Sequence, residues 1–487
     1  ERPGPDVSNS STSASDPLRN STGPLTRITR AVRDGDITAC DVVEASLAAL
    51  AASDLNVTSE LDAEGARTRA REIDAAKSKG PLAGAPALIK DLEDWQGHPT
   101  RKGSRALASA APAASNSVVA QRLLDSGAVP VGKSTLPEFA IEGYTANDLT
   151  GVTRNPWNAE LSPGGSSGGS GAALAAGLVA IATATDGGGS VRIPASMCGL
   201  VGLKPTNGVI GRWPAPDWID YSTDGLLATS ADDLALLASV LFGPVAGDPT
   251  GVFPSALVAH SLAPTTIIAA ARTSPFGPLE SDVAEHLESA VGALGEHFGL
   301  EVTWMEPEEF FTGGDPDLDW FIVASAEHVA ALGREWVQAN WDLFHVATRE
   351  FLERGLATSI DDYLAARRRR YDYVRRMDEL LGTGGILLTP SVAQSGWYAD
   401  GSMEEGGEVH GLAPSTLSTA IQNITGNPAL SVPFGRLANG LPFGIQLTAP
   451  RYHDRRLIEL AAELEAAFPW SRTAPGYTSL DVALGLA

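Results

Sequence analysis

Cysteine is almost missing from this chain of 487 residues, which holds only Cys40 and Cys198. Two thiols so far apart build neither a disulfide framework nor a CxxC zinc site. Positive charge is scarce too. The 35 Lys and Arg face 59 Asp and Glu, a net charge of −24. That balance argues against nucleic-acid and anionic-membrane partners, which need clustered positive charge. Long hydrophobic runs are lacking. The longest mostly apolar stretch without a charge, Gly171 to Thr185, covers 15 residues, fewer than the roughly 18 a membrane helix requires. No H-E-x-x-H occurs and the eight histidines do not gather at ligand spacing, so neither a metal nor a cofactor is expected. Residue 1 is Glu rather than Met, a processed or shortened start, and no apolar signal segment follows it. The expectation is a cytoplasmic enzyme, monomeric or homodimeric, acting on a small molecule.

What is present suffices for a large core. Hydrophobic residues make up 43%, and a chain this long buries about three quarters of its unfolded surface. Disorder and a fibrous repeat are excluded. Length alone suggests about three domains. Residues 1–23, rich in Ser, Thr, Asn, Asp and Pro, read as a flexible leader ahead of a folded region 24–487. Leu25, Ile28, Ala31 and Val32 recur at helical spacing, and Asp41 to Ala52 continues similarly. A short apolar strand, Ala87 to Ile89, runs into Lys90. Val118 to Ser126 reads as a helix and Ala128 to Val131 as a strand. The chain from about 280 to 383 is mostly helical, and strand-like runs return at Ile386–Leu388, Ala429–Val432 and Gly444–Leu447. Helices interleaved with short buried strands predict an α/β architecture. Arg367 to Arg370, with Arg375 and Arg376, stand among Asp361, Asp362, Asp372, Asp378 and Glu379. They read as a self-compensated helix face rather than a phosphate patch.

One segment stands out chemically. Residues 164–208 hold 12 of the 51 glycines, and between Leu161 and Leu203 the only charged side chains are Asp186 and Arg192. Both would be costly to bury alone, so the two should pair. The pair would pin the ends of Gly187-Gly188-Gly189-Ser190. Such a loop can aim several backbone N–H groups at one point, as an oxyanion hole requires. The alternative is a glycine-rich turn with a structural ion pair, and composition does not choose between them. A serine also needs a base. Lys90, ending an apolar strand, could serve if burial lowered its pKa from about 10.4 towards 7. Otherwise it is an ordinary strand-end lysine paired with Asp91 or Asp94.

Two motif matches compete. Gly164 to Gly168 fits G-x-S-x-G, the nucleophile elbow of α/β-hydrolase esterases, with His410 a conceivable partner. That motif needs a strand before it, whereas Asn155 to Pro163 is turn-like. Gly127 to Ser134 fits the Walker A pattern, yet its interior is strand-like and Pro130 lacks an N–H for phosphate, so it reads as chance.

The run Gly164 to Thr206, GGSSGGSGAALAAGLVAIATATDGGGSVRIPASMCGLVGLKPT, strongly resembles the signature of the amidase signature family. Lys90 within GAPALIKDL, GKSTLPEF at 132–139, RNPWN at 154–158, and GNPALSVP and GLPFGIQL near the end are similar to it as well. The resemblance spans about residues 25 to 470. It implies one large domain with a mixed twisted sheet wrapped by helices, overriding the three-domain expectation. It implies Lys90, Ser166 and Ser190 as a Ser-cisSer-Lys triad, Gly187, Gly188 and Gly189 with the Ser190 N–H as the oxyanion loop, and Asp186 with Arg192 as its support. The implied chemistry is hydrolysis of carbonyl C–N bonds through an acyl-enzyme. A tRNA-dependent amidotransferase subunit is disfavoured by the −24 charge and by apolar Ile193 after Arg192. Trp213, Pro214, Trp218, Ile219 and Tyr221 suggest an apolar, aromatic pocket for neutral hydrophobic or aryl amides, and for carbamates by the same chemistry. Gly396 to Gly411, with Trp397 and Tyr398, reads as a mobile lid.

Overall fold

In a computed structural model of the chain, residues 23–258, 263–273, 279–311, 313–403, 406–409 and 418–486 are described. The architecture is α/β, as the interleaved pattern predicts, and the sheet system is mixed, as the resemblance implies. Eight strands run in the order Val302–Trp304, Thr266–Ala269, Gly385–Pro390, Pro442–Thr448, Ala429–Arg436, Val201–Lys204, Thr223–Ala228, Ala184–Asp186. The first three are parallel and the rest antiparallel. A second sheet places Pro86–Lys90 between Val129–Ser134 and Ile181–Ala182, parallel to both, with Thr58–Leu61 at the edge. Thr183 alone separates the end of the second sheet from the strand Ala184–Asp186 of the first. The two sheets therefore meet at the glycine-rich segment.

Local chemistry explains the elements. The helix Ala39–Ala52 begins at a Thr38–Asp41 capping box, and Val118–Asp125 begins at Ser117, whose Oγ accepts from the Ala120 N–H. The central strands are buried on both faces, so they read as continuous apolar runs rather than alternating ones. The long helices Ser281–Phe298, Pro316–Leu332, Val346–Ala357 and Ile360–Leu381 fall where the helical pattern predicts, but a short strand, Val302–Trp304, interrupts that region. No helix among the described residues is long and apolar enough to cross a membrane.

The arginine run needs a correction. Arg367 and Arg370 lie on Ile360–Leu381 but pair with Asp220, and Arg369 pairs with Asp319 at 2.6 Å. Within the helix only a loose Arg375–Glu379 contact at 3.9 Å remains among the described ion pairs. Asp378 turns to Arg451. Compensation thus comes from other elements, and the helix clamps the 213–221 loop onto the body.

Candidate active site

The strand Pro86–Lys90 ends at the site. Its register sets Ile89 beside Lys133 and Lys90 beside Ser134. From there Lys133 reaches Asp91, Nζ to Oδ1 2.9 Å, with both side chains fully buried. It also donates to Pro99 O and Thr100 Oγ1 at 3.0 Å. The lysine of the Walker-like string therefore takes the carboxylate that Lys90 would otherwise pair with. Asp94, the other candidate, accepts from Thr100 Oγ1 at 2.7 Å. Lys90 Nζ is left among hydroxyls: Ser166 Oγ at 2.8 Å, Ser167 Oγ at 2.9 Å and Thr185 Oγ1 at 2.8 Å. Burial lowers its pKa to about 7, outweighing the more distant charges of Glu93, Asp186 and Asp224. Replacing Lys133 by Met should lower stability by about 3–5 kcal/mol, because Asp91 would stay buried without a cation. Adding Asp91→Asn should recover much of that loss in denaturant unfolding. A double variant no more stable than the single one would disprove this role for the pair.

Ser166 and Ser190 face one cavity of about 500 Å³. Ser166 is fully buried and follows a cis Gly165–Ser166 peptide, whereas Ser190 is 8% exposed. The Ser167 N–H donates to Ser190 O at 3.3 Å, joining the two loops. In the stretch 186–189 every carbonyl is held from behind. Asp186 O accepts from Asn423 Nδ2, Gly187 O from Trp320 Nε1, Gly188 O from Thr419 Oγ1 and Gly189 O from the Ile193 N–H, at 2.9, 2.6, 2.5 and 2.8 Å. In a trans peptide the N–H points opposite to the carbonyl, so each anchored carbonyl aims the next N–H away from its anchor. The Gly189 N–H is spent on Asp186 Oδ1 at 2.9 Å. This corrects the expectation that it joins an oxyanion hole. The N–H groups of Gly187, Gly188 and Ser190 have no protein acceptor among the described residues. Glycine is required here: a Cβ on Gly187 would lie 2.3 Å from the Trp218 ring, and Gly189 has φ +128°.

Asp186 and Arg192 do pair, both fully buried, with Nη2–Oδ1 2.7 Å and Nε–Oδ2 2.9 Å. Arg192 also donates to Gln422 and Gln446 Oε1 and to Asn423 Oδ1 at 2.7–2.9 Å. Burial pushes the Asp186 carboxyl up, but the Arg192 charge and hydrogen bonds prevail and hold it at about 2. Trp320, Thr419, Gln422, Asn423 and Gln446 lie more than 100 residues downstream, and nothing local in the sequence marks them.

The cavity is not the apolar one expected. Trp213, Pro214 and Trp218 line it, together with Phe139 and Pro216. So do Glu93, Asp94, Lys102, Arg212, Asp217, Asp224 and His328. Tyr221 is behind the wall: its ring lies under the guanidiniums of Arg367 and Arg370, 5.5 and 5.3 Å from its centroid. Ile219 points away and is more than half exposed. Of the lid segment, Trp397 is buried against Tyr144, Ile193, Met197 and Leu441, and its carbonyl accepts from the Ser162 N–H at 2.9 Å. That end is fastened and does not line the cavity. Residues 404, 405, 410 and 411, and so His410, lie outside the described residues, as does 1–22 of the leader. Loop and turn precede Gly164 and the helix Gly168–Ala175 follows, so no strand leads into the elbow-like match. No group of three or more metal-ligating side chains gathers among the described residues.

A mixed α/β sheet brings two serines and the start of a glycine loop to one cavity, with a fully buried lysine behind Ser166, and the class to which the chain belongs is that of hydrolases of amide C–N bonds. The chain belongs to the amidase signature family: the family model described as Amidase matches residues 41–458. It is 34% identical over 456 residues, covering 90% of this chain and 92% of the other, to the Mycobacterium tuberculosis protein named "Putative amidase AmiA2". Among solved structures it resembles 6-aminohexanoate cyclic dimer hydrolase complexed with substrate, at TM-score 0.80, 28% identity and coverage of 93% and 98%. It likewise resembles a bacterial aryl acylamidase, at TM-score 0.81, 25% identity and coverage of 94% and 97%.

Proposed function

We propose that this chain hydrolyses aryl or hydrophobic amides, and aryl carbamates by the same chemistry, through an acyl-enzyme on Ser190. The observation that carries this reading is Lys90 Nζ, fully buried and 2.8 Å from Ser166 Oγ, with no carboxylate in contact among the described residues. A neutral amine has two hydrogens and one lone pair. Ser167 and Thr185 accept the two hydrogens, which leaves the lone pair to take the Ser166 proton. Ser166 in turn takes the proton of Ser190, whose Oγ attacks the carbonyl carbon. The oxyanion is met by the N–H groups of Gly187, Gly188 and Ser190, each worth roughly 3 kcal/mol. As the intermediate collapses, Ser166 gives its proton to the leaving nitrogen and Lys90 re-protonates Ser166, so the C–N bond breaks to release a neutral amine. Water, deprotonated through the same relay, then frees the acid. From a carbamate the released acid is a carbonic half-ester, which breaks down to carbon dioxide and an alcohol.

The test is release of 4-nitroaniline from 4-nitroacetanilide and from ethyl 4-nitrophenylcarbamate. Wild type should turn over both and Ser190→Ala neither, and added hydroxylamine should divert the acyl group to a hydroxamate. Turnover of the amide alone would restrict the reading to amides. Amide turnover by Ser190→Ala equal to wild type would end it.

A further inference from the structure

Glu93 is a cavity group that the proposed chemistry does not use. A turn, Glu93 N–H to Lys90 O at 2.9 Å, brings it back beside the catalytic strand. Its side chain is 6% exposed and lines the cavity. Oε2 accepts from Ser117 Oγ at 3.3 Å, whereas Oε1 has no partner among the described residues. The groups that face it are Lys90, Arg212, Asp224 and Ser117. Arg212 lies nearer Asp224, Nε to Oδ2 3.5 Å, and Lys102 is held by Asp217 at 2.7 Å. The cavity wall thus carries four carboxyls, Glu93, Asp94, Asp217 and Asp224, against two cations, Lys102 and Arg212. Lys90 adds no charge when it serves as a base.

We propose that Glu93 forms a subsite for an ammonium group carried on the amine half of the substrate. This rests on the hydrolase reading above, in which Lys90 and Ser166 protonate the leaving nitrogen. The leaving amine therefore faces the Lys90 side, where the turn places Glu93. Phe139, Trp213 and Trp218 line the same cavity and give the aryl body apolar surface. The substrate class is an N-acyl diamine, acylated at one nitrogen and protonated at the other. An ammonium would give Oε1 a charged donor. Burial, with the Asp224 charge beside it, pushes the free Glu93 carboxyl well above the usual carboxylate range. Binding the ammonium would therefore expel one proton from the carboxyl to solvent.

Calorimetry of three matched amines tests this without turnover: 4-aminobenzylamine, p-toluidine and 4-aminophenylacetate, whose para groups are ammonium, methyl and carboxylate. Wild type should bind the ammonium at least tenfold tighter than the methyl compound and the carboxylate most weakly. Heats measured in buffers of different ionisation enthalpy should show proton release for the ammonium alone. Glu93→Gln should bring the ammonium-to-methyl ratio close to one, and Glu93→Asp should keep part of the preference. Equal binding of ammonium and methyl by wild type, or a preference that survives Glu93→Gln, would overturn the subsite. Tightest binding of the carboxylate would do the same and assign the wall to Arg212 instead. The corresponding 4-substituted acetanilides should follow the same order in kcat/KM. If the binding order holds while no anilide shows Ser190-dependent turnover, the hydrolase reading has failed and the subsite has not.

Discussion

Lys90→Ala should lower kcat on 4-nitroacetanilide by roughly four to five orders of magnitude with little change in KM. Removing the base of a nucleophile–base unit costs nearly as much as removing the nucleophile, so Ser190→Ala should fall at least as far. The loss on an ester of similar size should be distinctly smaller. An alkoxide or phenoxide departs without a proton, whereas an amine must receive one, and in the proposed mechanism the donor is Ser166 re-protonated by Lys90, 2.8 Å away. An elbow-type esterase would be indifferent to this lysine. Amide activity within tenfold of wild type in Lys90→Ala, with circular dichroism unchanged, would remove Lys90 from the chemistry.

In the proposed mechanism the same residue sets the pH dependence. Only neutral Lys90 can accept a proton, and burial brings its pKa to about 7. Below that value the neutral fraction falls tenfold per pH unit, so kcat/KM should fall with unit slope on the acid side and level off above about pH 8. A lysine near its ordinary value would still be gaining activity at pH 9–10. A plateau that begins only there would show that burial does not tune the base.

Local physics made much of the fold readable. The strands Pro86–Lys90, Val129–Ser134 and Gly385–Pro390 were visible because strands buried on both faces are dense in apolar residues. The helices after residue 280 were visible from their 3.6-residue period. Val201–Lys204, Thr223–Ala228 and Ala184–Asp186 were not: the last two carry Asp224, Thr185 and Asp186 toward the site, and the first is only four residues long with Gly202 inside it. Pairing of Asp186 with Arg192 followed from the cost of burying either alone. The Lys90 question was different. The residues could not say whether Asp91 was its partner, since the answer depends on Lys133 on a neighbouring strand. The Gly189 N–H shows the same limit: composition leaves a loop of donors and a plain turn open, the resemblance implies the loop, and that Asp186 takes the Gly189 donor is visible only in three dimensions. Charges on the cavity wall come from two stretches more than 100 residues apart, 93–102 and 212–224, and nothing local shows that they meet.

Arg192→Met should be the most destabilising single change in the signature segment, with a loss of about 3–5 kcal/mol or failure to accumulate folded protein. It strands Asp186, fully buried, without a cation. It also removes the donors that satisfy Gln422, Asn423 and Gln446. Arg192→Lys tests whether charge alone is enough. An ammonium can neutralise Asp186 but cannot reproduce the planar fork that grips both carboxylate oxygens and three amide oxygens. The Lys variant should therefore fold with intermediate stability yet lose at least tenfold in kcat, with KM less affected. The reason is mechanical. Asp186 accepts the Gly189 and Val191 N–H groups at 2.9 and 3.2 Å, so its position sets where the Gly188 and Ser190 N–H groups point. A carboxylate shifted by a few tenths of an ångström misaims donors that act only on the developing oxyanion, and such a loss appears in kcat. Unfolding by denaturant separates the two effects from the kinetics. If Arg192→Met stays within about 1 kcal/mol of wild type, or Arg192→Lys keeps full kcat, then Asp186 is not what holds the loop, and the anchors at Trp320 and Thr419 suffice without it.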